Sequence, residues 1–399
     1  MSTSRALSLA VAALLALSGC GPKDPDPLPF APASPKASPD PTKPGPFPVG
    51  VRTVTFADTT RPKPDGSPRL LVTEVWYPAT QDQRGKEGVT YDVRTVFTPE
   101  QQAMLVGADV PLLVTDAVRD APIAKTHGPF PLVFFSHGQG AIRWQSTYYT
   151  VLLASHGYVV VSPDHEGGTL YEAVRGELQN VAVGVATRPQ DIIWLLAKLK
   201  RLRADDPLYD TLNGMVDFDE VGVTGHSFGA LTSLRVAAMS PDFKVIVPQA
   251  PTATDIAWLG LPQPVTLTIP VMIQAAHNDQ TLKWDEHIAP SWPTLQRPRW
   301  LLDITNGGHF TFSDLCRFDL AKVASQVQFN IPGANVENVL RDGCGPNAPP
   351  PDVAQPIINH FAIGLFNAVL RGDEKAKEAL TQENADRLGP GVAVVTADP

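Results

Sequence analysis

The segment Glu220-Val-Gly-Val-Thr224 runs directly into Gly225-His-Ser-Phe-Gly229, and that into Ala230-Leu-Thr-Ser-Leu-Arg-Val-Ala-Ala238. The first is a short apolar run suited to a buried strand, and the last a run of small and aliphatic residues suited to a helix. A chain that passes from strand to helix across so few residues turns sharply enough for flanking side chains to collide. Glycine at 225 and 229 removes them and leaves Ser227 at the apex of the turn. The five-residue pattern alone arises readily by chance; its place between strand and helix is what constrains the fold.

The rest of the chain keeps the same rhythm. Val51–Phe56 and Arg69–Tyr77 read as strands joined by a turn-rich stretch, with the partial alternation of antiparallel edge strands. Pro131–Phe135, Tyr158–Ser162, Lys244–Val247, Val271–Ala275 and Arg299–Asp303 read as buried strands. Helix patterns cover Gln145–Ser155, Asp191–Arg203 and Val353–Arg371, and Thr187-Arg-Pro-Gln190 matches a capping box opening the second of these. The rhythm predicts an α/β fold, a mostly parallel sheet covered on both faces by helices. With the strand–Gly-x-Ser-x-Gly–helix unit it predicts the α/β-hydrolase fold. Residues 80–128 and 166–186 are too long for simple connections and are expected to form cap or lid elements.

Both ends of the chain read as lying outside that fold. Arg5 is the only charge before Cys20, and Ala6–Leu17 is an apolar run too short to span a bilayer. It ends in Leu17-Ser-Gly-Cys20, which resembles the lipobox of bacterial lipoproteins. The resemblance implies a signal peptide over 1–19, lipidation of Cys20 and a membrane anchor in the cell envelope. Gly21, rather than Asp, after the lipidated cysteine implies the outer membrane. Residues 21–50 contain eleven prolines and almost no aliphatics, so 20–49 is expected to be a semi-rigid spacer. The hydrolase domain is then 50–372, with 373–399 as an acidic, poorly ordered tail. Cys316 and Cys344 remain, as a disulfide of an exported protein or as two free thiols. The net charge of −9, without a basic cluster beyond Lys198–Arg203, argues against nucleic acid as a partner.

A serine hydroxyl needs a base within hydrogen-bond reach, and the base needs an orienting carboxylate. In α/β-hydrolases the acid and then the histidine follow the serine along the chain. Of His277, His287, His309 and His360, only His309 stands on a Gly-rich loop after the last strand, in Asn306-Gly-Gly-His-Phe-Thr-Phe312. His309 is therefore the expected base. Asp279, just past the strand Val271–Ala275, is the preferred acid, with Asp255 and then Asp285 or Glu286 as alternatives. The N–H of Phe228 and that of Gln139, in Ser136-His-Gly-Gln-Gly140, are the expected oxyanion donors. His137 and His226 read as scaffold residues. His165, Glu166, His277 and Asp279 could make a metal site only on paper, for they lack ligand spacing. No metal or cofactor is expected.

Pro131-Leu-Val-Phe-Phe-Ser-His-Gly-Gln-Gly-Ala-Ile-Arg143, Ala154-Ser-His-Gly-Tyr-Val-Val-Val161 and Gly225-His-Ser-Phe-Gly229 together resemble the platelet-activating factor acetylhydrolase family and its bacterial relatives, often labelled predicted dienelactone hydrolases. Trp76-Tyr77-Pro78, Pro163-Asp-His165 and Arg188-Pro-x-Asp191 extend the likeness over most of 50–315. The resemblance implies a serine carboxylic ester hydrolase acting through an acyl-enzyme on short-acyl or lipid-like esters. The alternatives are polyester or xenobiotic esters, or a non-catalytic envelope protein on the same scaffold. There is one departure. The eukaryotic family members carry their acid just after the strand that follows the elbow helix, where this chain has Pro248-Gln249-Ala250. Dienelactone hydrolases proper use a cysteine nucleophile, which Ser227 argues against. The walls of the substrate cleft are expected from 80–128, 166–187, Trp144 and Trp258.

Overall fold

The computed structural model describes residues 40–253, 267–319, 322, 325 and 336–399. The signal peptide expected over 1–19, the lipidation site Cys20, the alternative acid Asp255 and Trp258 lie outside these residues. The end of the spacer is already packed: the Phe47 ring meets Phe130 edge-on, and Gly45 N–H donates to Ser155 Oγ at 2.8 Å. The folded body thus begins before residue 50.

The strands are β1 (Val49–Asp58), β2 (Arg69–Pro78), β3 (Thr90–Asp92), β4 (Leu112–Val114), β5 (Ala117–Arg119), β6 (Phe130–Ser136), β7 (Val159–Pro163), β8 (Val216–His226), β9 (Phe243–Gln249), β10 (Val271–Ala276), β11 (Arg299–Ile304) and β12 (Ala393–Asp398). Ten of them form one sheet in the order β12-β11-β10-β9-β8-β6-β7-β2-β1-β5, and β3 pairs with β4 apart from it. From β7 through β6, β8, β9 and β10 to β11 every pairing is parallel. β2 pairs antiparallel with both β1 and β7, so it is an interior strand and not the edge strand expected. Its nearly continuous burial follows from that position.

Alternation along β6 splits its side chains between two helical layers. Val133 and Phe135 join the core that includes Leu153 and Phe361, while Leu132 and Phe134 join the one that includes Leu195 and Leu196. The first layer is built from helices Thr147–Ser155 and Pro351–Leu370, the second from Val181–Leu199 and Phe228–Met239. Pro351–Leu370 is long and apolar enough to cross a membrane, but most of it is buried in this core. It lies so close to β8 that a Cβ on Gly222 would stand 2.7 Å from the Phe366 ring.

Two expectations about element ends are corrected. The helix expected from Asp191 begins at Val181, capped by Asn180 Oδ1 accepting from Ala182 N–H at 2.8 Å. Thr187 lies inside it, and its hydroxyl donates to Val183 O at 2.9 Å. A Thr-x-x-Gln pattern reads alike whether the threonine caps a helix or bonds back within one. The expected tail 373–399 also belongs to the fold. Helices Glu374–Glu378 and Gln382–Leu388 lead into β12, which pairs antiparallel with β11 from Ala393↔Ile304 to Asp398↔Arg299. Its acidic end is used there: Asp398 binds Arg297 and Arg299.

The two long insertions pack against each other. Phe97, Leu105 and Val110 from the first share a small core with Val174 from the second. Gln101 Nε2 donates to Val174 O and Arg175 to Val96 O, both at 2.9 Å.

Candidate active site

β8 delivers Ser227 at the turn into helix Phe228–Met239. Its backbone, at φ 57° and ψ −117°, is a conformation that costs a non-glycine residue strain and raises the hydroxyl clear of the sheet. The glycines are obligatory. A Cβ on Gly229 would stand 1.8 Å from Ser136 O, and one on Gly225 2.5 Å from the same atom. Gln249 O accepts from Ser227 N–H at 2.9 Å, fixing the turn against β9.

His309 and Asp279 come to this serine from the ends of β11 and β10. His309 Nε2 lies 2.8 Å from Ser227 Oγ, and His309 Nδ1 lies 2.8 Å from Asp279 Oδ2. Asp279 Oδ1 accepts from the backbone N–H of Thr281 and Leu282 at 2.9 and 2.6 Å, so the carboxylate aims its other oxygen at the imidazole. Both side chains are almost fully buried, a setting in which such bonds gain strength. The tautomer with hydrogen on Nδ1 leaves Nε2 free to take the hydroxyl proton. Of the other candidate acids among the described residues, Asp285 and Glu286 are exposed, and Glu286 pairs with Lys283. Gln249, at the position where the eukaryotic relatives carry an acid, donates its amide to Gln274 Oε1 at 2.9 Å.

The loop after β6 passes close enough to Ser227 that a Cβ on Gly138 would stand 3.6 Å from the Ser227 Cβ. His137 Nδ1–H donates to Gly138 O at 2.7 Å and thereby fixes the Gly138–Gln139 peptide plane. In a trans peptide the N–H opposes the C=O, so the Gln139 N–H faces away from that anchored carbonyl. Phe228 N–H opens a helix and has no intrahelical acceptor. Arg188 grips the loop from beneath, donating to His137 O and Gln139 Oε1 at 2.8 Å and to Gly168 O at 3.0 Å. Its guanidinium lies 4.3 Å from the centre of the Phe228 ring, and burial pulls its pKa down to about 9, still charged at neutral pH.

A second Ser–His–Asp line lies under this loop. Ser136 Oγ is 2.9 Å from His165 Nε2, and His165 Nδ1 is 2.9 Å from Asp191 Oδ2. All three residues are fully buried, so the line cannot meet a substrate. Burial would raise the Asp191 pKa, but its hydrogen bonds from Arg69 and His165 together hold it well below the usual carboxylate range. Burial lowers His165 to about 4 and keeps it neutral.

His226, expected as scaffold, ties the two loops together. Gly138 N–H donates to Gln145 Oε1 at 2.8 Å, Gln145 Nε2 donates to His226 Nδ1 at 2.7 Å, and His226 Nε2–H donates to His309 O at 2.8 Å. Burial first, and the neighbouring His309 second, lower the His226 pKa to about 3. The four residues weighed as a metal site are dispersed: His165 holds Asp191, Glu166 holds Lys63, His277 holds Asp303 and Asp279 holds His309. Cys316 and Cys344 form a disulfide, closing a loop worth about 3–4 kcal/mol in the chain-entropy model. Sequence reasoning missed Gln145, Arg188 as a loop anchor, and Asp342, which accepts from His309 N–H at 2.8 Å. Arg188 had a signal in Arg188-Pro-x-Asp191; Gln145 had none.

Trp144, expected in the cleft wall, is buried in the core, and both insertions pack near the β6 loop. Trp144 stacks on Tyr91 of the first insertion with ring centres 5.1 Å apart, and a Cβ on Gly140 would touch Ala173 and Leu178 of the second.

A family model for PET hydrolase-like proteins matches residues 125–325, and one for platelet-activating factor acetylhydrolase, isoform II, matches residues 36–171. The platelet-activating factor acetylhydrolase of Cavia porcellus is 23% identical over 237 residues, covering 51% of this chain and 52% of that protein. A bis(hydroxyethyl) terephthalate hydrolase of Streptomyces coelicolor is 25% identical over 192 residues, covering 48% and 54%. The chain spans about half the length of these curated relatives. The structure of a ferulic acid esterase from Streptomyces cinnamoneus superposes with a TM-score of 0.64 at 21% identity, covering 89% of this chain and 97% of that one. That likeness shows the fold, which is the α/β-hydrolase fold.

Proposed function

The chain belongs to the PET hydrolase-like family of α/β-hydrolases, and from that premise we propose that it is a serine carboxylic ester hydrolase working through an acyl-enzyme. The single observation that carries the proposal is the unbroken line Ser227 Oγ–His309–Asp279, with both contacts at 2.8 Å. In the first step Ser227 Oγ attacks the ester carbonyl while His309 Nε2 takes its proton, and Asp279 stabilises the imidazolium. The N–H groups of Phe228 and Gln139 receive the oxyanion. His309 returns the proton to the leaving alcohol, and a water repeats the sequence on the acyl-enzyme to release the acid.

We assign short-acyl or lipid-like esters as the substrate class, supported by the match to platelet-activating factor acetylhydrolases. Polyester-type or aromatic esters are a second reading. It is favoured by the PET hydrolase-like match, which spans Ser227, Asp279 and His309, whereas the acetylhydrolase match ends before them. Wild-type protein should hydrolyse p-nitrophenyl acetate and butyrate, and Ser227→Ala should not. Turnover retained by a folded Ser227→Ala would overturn the proposal. Relative kcat/KM on a short-acyl phospholipid, bis(hydroxyethyl) terephthalate and polyester film then separates the two substrate readings.

Anchoring at Cys20 is part of the same proposal, supported by Leu17-Ser-Gly-Cys20 and the apolar run before it. Labelled palmitate should be incorporated into the wild type and not into Cys20→Ala, and equal incorporation would remove the anchor.

A further inference from the structure

Asp342 is a carboxylate that the ester-hydrolysis chemistry does not use, yet it touches the loops of both His309 and Asp279. Its Oδ1 accepts from His309 N–H at 2.8 Å and from Gln280 N–H at 2.9 Å, and its Oδ2 accepts from the Thr281 hydroxyl at 2.7 Å. It is 3% exposed, and among the described residues no lysine or arginine pairs with it. A carboxylate buried without a cation is costly unless its oxygens are hydrogen-bonded. Here the acceptors are spent on joining the base loop to the acid loop.

The backbone around Asp342 is shaped for that contact. Gly343 has φ 120°, and a Cβ there would stand 2.8 Å from Thr311 N. A Cβ on Gly308 would stand 2.4 Å from the Asp342 carbonyl carbon, so the two chain segments meet backbone to backbone. The next residue, Cys344, is bonded to Cys316, seven positions beyond His309 on the base loop. The base loop is thus held to this segment by a covalent bond on one side and by Asp342 on the other.

We propose that Asp342 is a positioning residue that sets the register between His309 and Asp279. This inference rests on those two residues being the base and its orienting acid. Misplacing a catalytic group by about 1 Å costs on the order of a hundredfold in rate. A residue joining both loops therefore acts on turnover more than on substrate binding.

The test compares Asp342→Ala with Asp342→Asn. The asparagine keeps an oxygen able to accept from His309 and Gln280, while its NH2 can donate to the Thr281 hydroxyl. Asp342→Ala is expected to lower kcat on p-nitrophenyl butyrate by about tenfold or more with KM within about twofold, and Asp342→Asn to restore most of the loss. A second readout is the low-field proton resonance of His309 Nδ1–H, assigned by its absence in His309→Gln. It should be present in the wild type and Asp342→Asn and broadened by exchange in Asp342→Ala. If Asp342→Ala does not fold, Thr281→Val, which removes one of the three bonds, should lower kcat by about threefold with KM unchanged. A folded Asp342→Ala with wild-type kcat and resonance overturns the assignment, as does equal impairment of both Asp342 variants. A wild type inactive on every ester would fail the hydrolase proposal instead, and the resonance would still decide the linkage.

Discussion

His309 Nδ1 is 2.8 Å from Asp279 at the end of β10, whereas Gln249 at the end of β9 gives its amide to Gln274. The carboxylate meets the imidazole, while the neutral amide is turned into the core toward β10. Only one of them can hold an imidazolium. Asp279→Asn is therefore expected to lower kcat by about a thousandfold or more, with the fold intact. Gln249→Ala and Asp255→Asn, measured beside it, should stay within about tenfold of the wild type. A comparable loss in Asp255→Asn with Asp279→Asn active would move the acid.

The loop carrying Gln139 is held by Arg188, which satisfies two backbone carbonyls and the Gln139 side chain at once. Arg188→Ala leaves the buried His137 carbonyl without this donor, which costs about 1–3 kcal/mol, while Gly168 O keeps the Gly140 N–H, and it loosens the loop that carries the proposed oxyanion donor. Thermal unfolding should shift down and kcat fall by about tenfold or more. Gln139→Ala removes only a side chain and keeps the backbone N–H, so its kcat should stay within about threefold. The reverse order of effects would mean that the side chain, and not the N–H, meets the substrate.

Buried histidines, among them His137, His156, His165 and His226, make stability depend on pH. Burial lowers His226 to about 3 and His165 to about 4, and burial followed by the charge of Arg188 lowers His137 well below the ordinary value. In the unfolded chain the same groups titrate near 6.5. As pH falls from about 6.5 toward 4 the unfolded chain binds protons that the fold refuses, so stability drops; above that range their contribution is complete. Asp191, with its pKa held low, adds a loss in the same direction below about 4. Melting temperature should be flat from pH 8 to 7 and fall steadily below 6.5. A constant melting temperature down to pH 4 would contradict the buried neutral histidines.

The parts legible in the sequence were those with local causes. A glycine-flanked serine between strand and helix specified the elbow, and continuous apolar runs specified β6 to β11. His309 and Asp279 were readable because each follows a recognisable strand. What the sequence hid depends on contacts between distant segments. Gln145 acts only because Gly138 and His226 stand on either side of its amide. Asp342 lies far along the chain from Thr281 and His309, and nothing nearby announces it. The C-terminal strand was missed for a related reason: Ala393–Asp398 is weakly apolar and becomes a strand only by pairing with β11.

The central claim is that Ser227 is a nucleophile activated by His309. A fluorophosphonate probe, followed by peptide mass mapping, tests it without any choice of ester. One adduct is expected, on Ser227, absent in Ser227→Ala and strongly slowed in His309→Ala. An unlabelled wild type, or an adduct on another residue, would contradict it.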